Sequence, residues 1–379
     1  MRFSWQLGKI AGIPLQFHWS FVLVFVWVIY TSWSPEGGID TDALLSVGIW
    51  TVLVFMAVLL HEYGHAFVAR WLGIGTKKIV IYPLGGGAYL EHMPEEPNKE
   101  ILIAIGGPLI NILLAVVVAP LIWLSANWKR KALLVYILRP ESNVPVFGVG
   151  PLDYAIVLFF VLNLMLAFFN LLPAYPLDGG RIFRAALSWV LGRDRATIAA
   201  ALLGVAFAAV FLGFAIYLSD WLFGVGALLV ALFAIMEINA LWRTRLLRRH
   251  VVSEVAAANF PRIYLQDGMY EAWDAYQQNE RQGLIVLNSW QEVMGALGAE
   301  QFSQWQEDQA PADAVSFYYK NQWQAFGPAN NLLEVARYLD GNSIGVAPVF
   351  ENGRLTGIVT GQQLLQLIRR HSLLKWRRR

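Results

Sequence analysis

Two histidines and a glutamate stand in the pentapeptide His61-Glu62-Tyr63-Gly64-His65, and that pentapeptide lies inside an apolar run. Imidazoles at positions i and i+4 share one face of a helix, the spacing that lets both reach one zinc ion. The carboxylate of Glu62 is then placed to act on a water held by that ion. Ionisable groups at membrane depth are costly and by default mark a functional site. The motif alone also fits two helix-packing histidines; its position inside a bilayer-length run argues for chemistry.

Two histidines do not complete a catalytic zinc site, which usually has three protein ligands and one open position. The chain has no cysteine, so thiolate ligands and disulfides are excluded and any zinc must be held by His and carboxylate. The best third ligand is Asp178, in Asn170-Leu171-Leu172-Pro173-Ala174-Tyr175-Pro176-Leu177-Asp178-Gly179-Gly180-Arg181. Its prolines break a helix and its glycines permit a sharp turn. Broken backbone at membrane depth is tolerated where it is buried in protein or lines a wet cavity. A solvated Asp178 capping the next helix is the alternative that the residues alone leave open.

The elements that must position these groups are membrane spans. Hydrophobic residues make up 57% of the 379-residue chain and charged residues 15%, which is the balance of a membrane protein with room for a smaller soluble part. The net charge of +2 excludes little. Six apolar segments are long enough to span, at roughly residues 17–33, 44–67, 101–124, 154–172, 198–218 and 221–241. The first residues, 1–16, are polar and amphipathic and read as no removable signal peptide. Arg2 and Lys9, Arg70 to Lys78, Arg181 to Arg195 and Arg243 to Arg249 flank alternate spans and place that side in the cytoplasm; the acidic loop 35–42 agrees and the basic stretch 129–139 does not. His61 lies nine residues before Arg70, which sets the metal site about 13 Å below the cytoplasmic end of its helix.

The H-E-x-x-H helix followed by N-x-x-P-x-x-P-L-D-G-G, in that order, resembles the site-2 protease family of intramembrane zinc metalloproteases over about residues 1–245. Gly85-Gly86-Gly87 and Gly106-Gly107-Pro108 with Asn111, between the two motifs, resemble the same family. The resemblance implies one Zn2+ per chain bound by His61, His65 and Asp178, with Glu62 activating the water. It implies that Asn170 lies near the zinc and helps to hold the substrate or the developing oxyanion. Residues 79–89, with Gly85, Gly86 and Gly87, resemble the family's membrane-associated β-loop, which would take an unwound substrate as an added strand. Gly106, Pro108 and Asn111 read as helix-packing positions, and His92 as an occasional substrate contact at most.

After Arg249 the composition shifts to charged and Gln-rich segments alternating with short β-like runs. A weak repeat recurs at a spacing of about 62 residues, aligning 295–302 with 357–364 and 284–287 with 346–349, with helical stretches at 270–278 and 332–339. Each unit reads helix, strand, strand, helix. The second unit, with Ala347-Pro348-Val349-Phe350 and Leu355-Thr356-Gly357-Ile358-Val359-Thr360, is similar to a cystathionine-β-synthase-type (CBS) domain. That resemblance implies a tandem pair, a possible homodimer through it, and an adenine-nucleotide site at Thr360. The family's Asp three positions later is Gln363 here, and the first unit has Gly298 and Gln301, which departs from the ribose-binding pattern. The tail 375–379 is basic, with Trp376.

The fold expected is a polytopic α-helical membrane protein of about six transmembrane helices with a membrane-associated β-loop (residues 1–245), followed by a C-terminal α/β CBS-pair domain (246–379). The function expected is hydrolysis of peptide bonds in transmembrane substrates: anti-sigma factors, membrane-tethered transcription factors or remnant signal peptides. The location expected is the cell membrane with both termini cytoplasmic, in contact with lipid and with no direct nucleic-acid contact. A CBS-regulated transporter or channel, and a homologue that binds substrate without cutting, are the competing classes. The first does not account for His61, Glu62, His65 and Asp178 together, and no missing motif residue supports the second.

Overall fold

The computed structural model describes residues 4–34, 37–83, 85–94, 96–124, 128–139, 149–308, 314–342 and 344–376. Pro35 and Glu36 of the acidic loop and Arg377 to Arg379 of the basic tail lie outside these. The chain divides into two compact units, Met1–Ile238 and Asn239–Arg379, and the division falls within one helix.

The first unit opens with a hairpin, β1 (Ser4–Ile10) and β2 (Ile13–His18), followed by a single 3-10 turn and α1 (Val22–Thr31). A two-residue pair, β3 (Trp33–Ser34) and β4 (Gly38–Ile39), leads to α2 (Thr41–Trp71). Asp40 caps α2, its carboxylate accepting from the N–H groups of Asp42 and Ala43 and so satisfying two of the helix's unpaired donors. A second hairpin, β5 (Thr76–Tyr82) and β6 (Gly85–Leu90), precedes α3 (Pro97–Trp123), α4 (Trp128–Leu138) and α5 (Pro151–Asn170). Then come α6 (Asp178–Leu191), α7 (Arg193–Leu218) and α8 (Trp221–Arg249). The two hairpins form one sheet in the order β1-β2-β5-β6, with β2 and β5 parallel and β6 at its edge.

Five helices among the described residues, within α2, α3, α5, α7 and α8, are long and apolar enough to cross a membrane. Large apolar side chains such as Val52, Val117, Val210 and Ile216 are exposed on their outer faces. A water-facing surface would not carry so wide an apolar area, whereas lipid accepts it, and this is a multi-pass membrane unit. The first expected span is corrected. Its helix runs only from Trp19 to Thr31, because residues 13–18 are drawn into the sheet as β2 and Ser32 ends the helix with its N–H on Val28 O and Ile29 O. At 1.5 Å per residue that helix is about 20 Å long, short of a hydrocarbon core of about 30 Å.

Small residues let the central helices approach. A β-carbon on Gly64 would collide with the Gly106 carbonyl, and one on Gly106 would lie 2.7 Å from the Gly64 carbonyl oxygen. This close crossing of α2 and α3 is the membrane form of helix packing through glycine. Polar residues tie the rest together. Arg184 on α6, buried, donates through Nε (2.9 Å) and Nη2 to Glu100 on α3 and through Nη1 to Glu237 on α8 at 3.1 Å. Arg193, at the start of α7, lies 3.3 Å from the other oxygen of Glu100. Two cations and two anions thus join four helices in a balanced cluster.

The second unit contains β7 (Arg262–Tyr264), α9 (Met269–Gln278), β8 (Leu284–Leu287), β9 (Val293–Leu297) and α10 (Ala299–Asp308). It continues with α11 (Leu332–Gly341), β10 (Val346–Glu351), β11 (Arg354–Thr360) and α12 (Gly361–Trp376). Helix, strand, strand, helix recurs twice, as the repeat implies. Each repeat also has a parallel lead-in pairing, the strand β7 on β8 in the first and a single bridge of Phe326 to Val349 in the second. The lead-in segments are exchanged: Val251 and Ala257 pair with Asn331 and Ile358 of the second repeat, while Ala314 and Lys320 pair with Gly268 and Ala296 of the first. Such reciprocal pairing means that neither repeat completes its sheet without the other's lead-in.

Candidate active site

The site is built where α2, α3, α5 and α6 meet the edge strand β6. His61 and His65 are one helical turn apart on α2, and both are buried. The Asp178 carboxylate reaches them from the first residue of α6. Leu177 before it is extended, and Pro173 and Pro176 cannot donate a backbone hydrogen bond, so the chain between Asn170 and Asp178 leaves the helix and returns. The return is tight. A β-carbon on Gly179 would collide with the carbonyl oxygens of Leu171 and Leu172, and one on Gly180 would lie 2.5 Å from the carbonyl carbon of Ala174. Those two glycines let the loop fold against the helix start and turn Asp178 inward, which removes the alternative of a solvated helix cap.

His61 Nε2, His65 Nε2 and Asp178 Oδ2 form a triangle with sides of 3.1, 3.1 and 3.2 Å. Ligands about 2.0–2.1 Å from a tetrahedral zinc lie about 3.3–3.4 Å apart, so one ion can touch all three with a small relaxation. The ring nitrogens on the far side fix the tautomers. His61 Nδ1 donates to Asn111 Oδ1 at 2.5 Å, and His65 Nδ1 donates to the Ile103 carbonyl at 2.7 Å. Each Nε2 therefore turns a lone pair toward the other and toward a carboxylate oxygen, an arrangement that repels itself until a cation sits among them. Among the described residues this is the group of His and carboxylate side chains close enough to share one metal ion. Gly107 makes room for it, since a β-carbon there would meet His65 Nε2 and lie 2.6 Å from His61 Nε2.

Asn111, read from the sequence as a packing residue, is corrected by this geometry. It accepts from His61, and its amide donates at 2.8 Å to Asn163 Oδ1; Asn163 donates in turn to the Phe159 carbonyl at 2.8 Å. Both asparagines are fully buried. The chain of bonds runs one way and ends on a carbonyl, which holds His61 in its orientation. Asn163 was legible as a polar residue inside an apolar span; its partner was not. Gly106 does pack, against Gly64.

Glu62 lies beside the triangle and outside it. Its Oε2 accepts from the Ala88 N–H of β6 at 2.8 Å. A cavity of about 470 Å³ opens on this side, lined by Glu62, both histidines, Asp178, Asn170, Arg181 and residues 86–90. Asn170 thus lies at the cavity; one of its amide hydrogens is committed to Leu166 O at 3.0 Å, and an amide has a second to offer. Gly86 and Gly87 reach the cavity wall and Gly85 does not. Of the two, only Gly86 is sterically bound to its identity, because a β-carbon there would lie 2.7 Å from Glu62 Cγ, whereas Gly87 has its nearest neighbour at 3.7 Å. Gly86→Ala is expected to push Glu62 aside and slow turnover by about a hundredfold, the cost of an ångström of misplacement, while Gly87→Ala stays within a few-fold of wild type. Cleavage rates of the two variants at matched zinc content check this.

His92 is exposed and absent from the cavity lining, and His18, His250 and His371 lie elsewhere. Thr360 in the second unit is buried, and Gln363 Oε1 accepts from its N–H at 2.8 Å; Gln301 does the same for Gly298 at 3.0 Å. In both repeats the glutamine that replaces the expected Asp serves as a helix cap.

A buried His-His-Asp triangle with a carboxylate beside it, framed by membrane helices, defines a metallopeptidase class of site. Residues 49–213, which hold these side chains, match peptidase family M50, and over this segment the chain belongs to that family. A zinc metalloprotease of Methanocaldococcus jannaschii is 35% identical over 214 residues, 56% of this chain and 54% of that one. The solved site-2 protease of the same organism is 32% identical, covering 62% of this chain and 95% of that chain with a TM-score of 0.43. A CBS-domain-containing protein of Agrobacterium tumefaciens is 16% identical, covering 33% of this chain and 90% of that one with a TM-score of 0.28. The chain spans about half the length of the curated relatives it matches.

Proposed function

We propose that the protein is an intramembrane zinc metalloendopeptidase that cuts peptide bonds within or near the transmembrane helices of membrane-tethered substrates. The observation that carries this reading is the His61, His65 and Asp178 triangle with Glu62 at the same cavity, inside an apolar helix bundle. The donor set fits zinc: two neutral imidazoles and one carboxylate, with room for a fourth ligand on the cavity side. When bound, zinc supplies a Lewis acid that acidifies water and polarises the scissile carbonyl.

The chain's own groups do the rest. Glu62 accepts the proton of the attacking water and passes it to the leaving amine. Asp178 contributes a single negative charge, so a dipositive ion keeps a net positive field for the oxyanion. Asn170 offers its remaining amide hydrogen to that oxygen. The edge of β6, with Gly86 and Gly87, takes an unwound stretch of substrate as an added strand. A substrate helix in lipid has its carbonyls bonded internally and must open first, so spans with Gly, Pro or polar residues are favoured. Anti-sigma factors, tethered transcription factors and remnant signal peptides all fit this class.

Residues 1–245 form the protease domain in this reading. Residues 246–379 form a cytoplasmic tandem CBS-like regulatory domain, with Thr360 as its nucleotide position and homodimerisation through the pair. Both termini are cytoplasmic in this reading, the side the basic flanks of the spans favour; β2 before α1 and β5 after α2 share one sheet, so α1, although shorter than a full span, carries the chain to the far side from which α2 returns.

Purified protein in detergent with single-span substrates tests the reading. One zinc per chain is expected, with cleavage lost on chelation and restored by stoichiometric zinc. Protein that cuts equally well after its metal has been removed, or that retains no zinc at all, overturns it.

A further inference from the structure

Two arginines of α6 stand three residues apart and live differently. Arg184 is consumed by Glu100 and Glu237. Arg181 lies three residues after Asp178, on the same face of the helix, and lines the cavity with Glu62, Asp178 and Asn170. Among the described residues no hydrogen bond or ion pair holds its guanidinium. Among the described residues it is also the one permanently cationic side chain in the cavity wall, where the other charged groups are the carboxylates of Glu62 and Asp178. A planar fork of five donors, half-buried and uncommitted beside two carboxylates, is matched to an incoming anion with two oxygens.

Hydrolysis generates such an anion at this place. The water oxygen bonds to the carbonyl carbon, the carbon–nitrogen bond breaks, and both protons of the water end on the leaving amine nitrogen, the first carried there by Glu62. The acyl half departs as a carboxylate and the amine half as an ammonium. That new carboxylate forms beside the Glu62 carboxylate, which repels it, while the charge of Asp178 would be spent on the metal it holds. We propose that Arg181 binds the carboxylate of the acyl-side product, and the negatively charged oxygen that precedes it, through a charge-assisted pair. This rests on the peptidase reading above. Arg181 acts as a substrate-contacting group and takes no part in holding the metal.

The test compares two inhibitors of single-span substrate cleavage: an N-acetylated hydrophobic hexapeptide ending in a free carboxylate, and the same peptide as its C-terminal amide. A third probe, the amide with a glutamate as its last residue, carries the charge on a side chain. Zinc content and thermal unfolding are measured on wild type, Arg181→Gln and Arg181→Lys. The expected result is tighter inhibition by the acid than by the amide in wild type. That ratio should fall at least tenfold in Arg181→Gln and be partly retained in Arg181→Lys, with one zinc in all three. An unchanged ratio in Arg181→Gln overturns the proposal, as does a loss confined to the glutamate probe. Wild type that holds zinc yet cleaves no single-span substrate removes the peptidase reading and this inference with it; an unchanged ratio in an active enzyme removes this inference alone.

Discussion

Glu62→Gln is expected to keep one zinc per chain and to lower the rate of peptide-bond hydrolysis by about a hundred- to ten-thousand-fold, the usual contribution of a positioned general base. The two halves of that outcome come from different geometry. Zinc is kept because the ligand triangle consists of His61, His65 and Asp178, and the Glu62 carboxylate stands outside it. The fold is kept because Oε2 of Glu62 accepts a single hydrogen bond from Ala88 N–H, and an amide oxygen accepts it equally well. What the amide cannot do is receive the proton of a water. Measuring zinc by mass spectrometry and cleavage on the same preparation separates these parts. A variant that lost its metal would move Glu62 into the ligand set, and one that retained full activity would remove it from the reaction.

Arg184→Ala is expected to cost about 3–5 kcal/mol, the price of breaking a buried ion pair from one side. Glu100 is almost completely buried, and without Arg184 its charge is left with Arg193 alone, while Glu237 loses its partner on α6. The effect should be visible at the metal as well as in the melting curve, because Arg184 lies on the helix whose first residue is Asp178. An apparent Tm lower by about 10 °C and weaker zinc retention are the expected readings. Arg184→Lys should recover only part of the loss, since one ammonium cannot reproduce the fork that spans Glu100 and Glu237. Glu100→Gln in the Arg184→Ala background should restore stability relative to Arg184→Ala by removing the uncompensated charge. If the single and double variants melt alike, the cluster does not hold α6 and the argument for it fails.

The parts of this protein that were legible in the sequence are those set by local rules. The i, i+4 spacing puts His61 and His65 on one face of α2 whatever surrounds them, and residues 44–67 read as a span because they are apolar without a proline, inside the helix that runs from Thr41 to Trp71. The Pro and Gly residues between Asn170 and Arg181 announce a break and a tight return before the fold is known, and the 62-residue recurrence announces two α/β units of helix, strand, strand, helix. Apolar content has no such power at the N-terminus. Residues 13–18 fit a strand or the start of a span, and pairing with β5, far along the chain, chose the strand and left α1 shorter than a full span.

Tertiary structure alone decided which distant side chains meet. Asp178 lies 117 positions from His61, and only the packing of α2, α3 and α6 closes the triangle. Asn111 became a partner of His61 because the paired glycines at Gly64 and Gly106 draw α3 against α2, an approach with no local signature at Asn111 itself. The same holds for Arg181 and Arg184, alike in sequence, of which packing committed one to a buried ion cluster and left the other at the cavity. The physical reason is common to all of them. Helix and strand periods report on neighbours within a few residues, whereas a hydrogen bond or ion pair across helices depends on crossing angles and close contacts that no short stretch of chain contains.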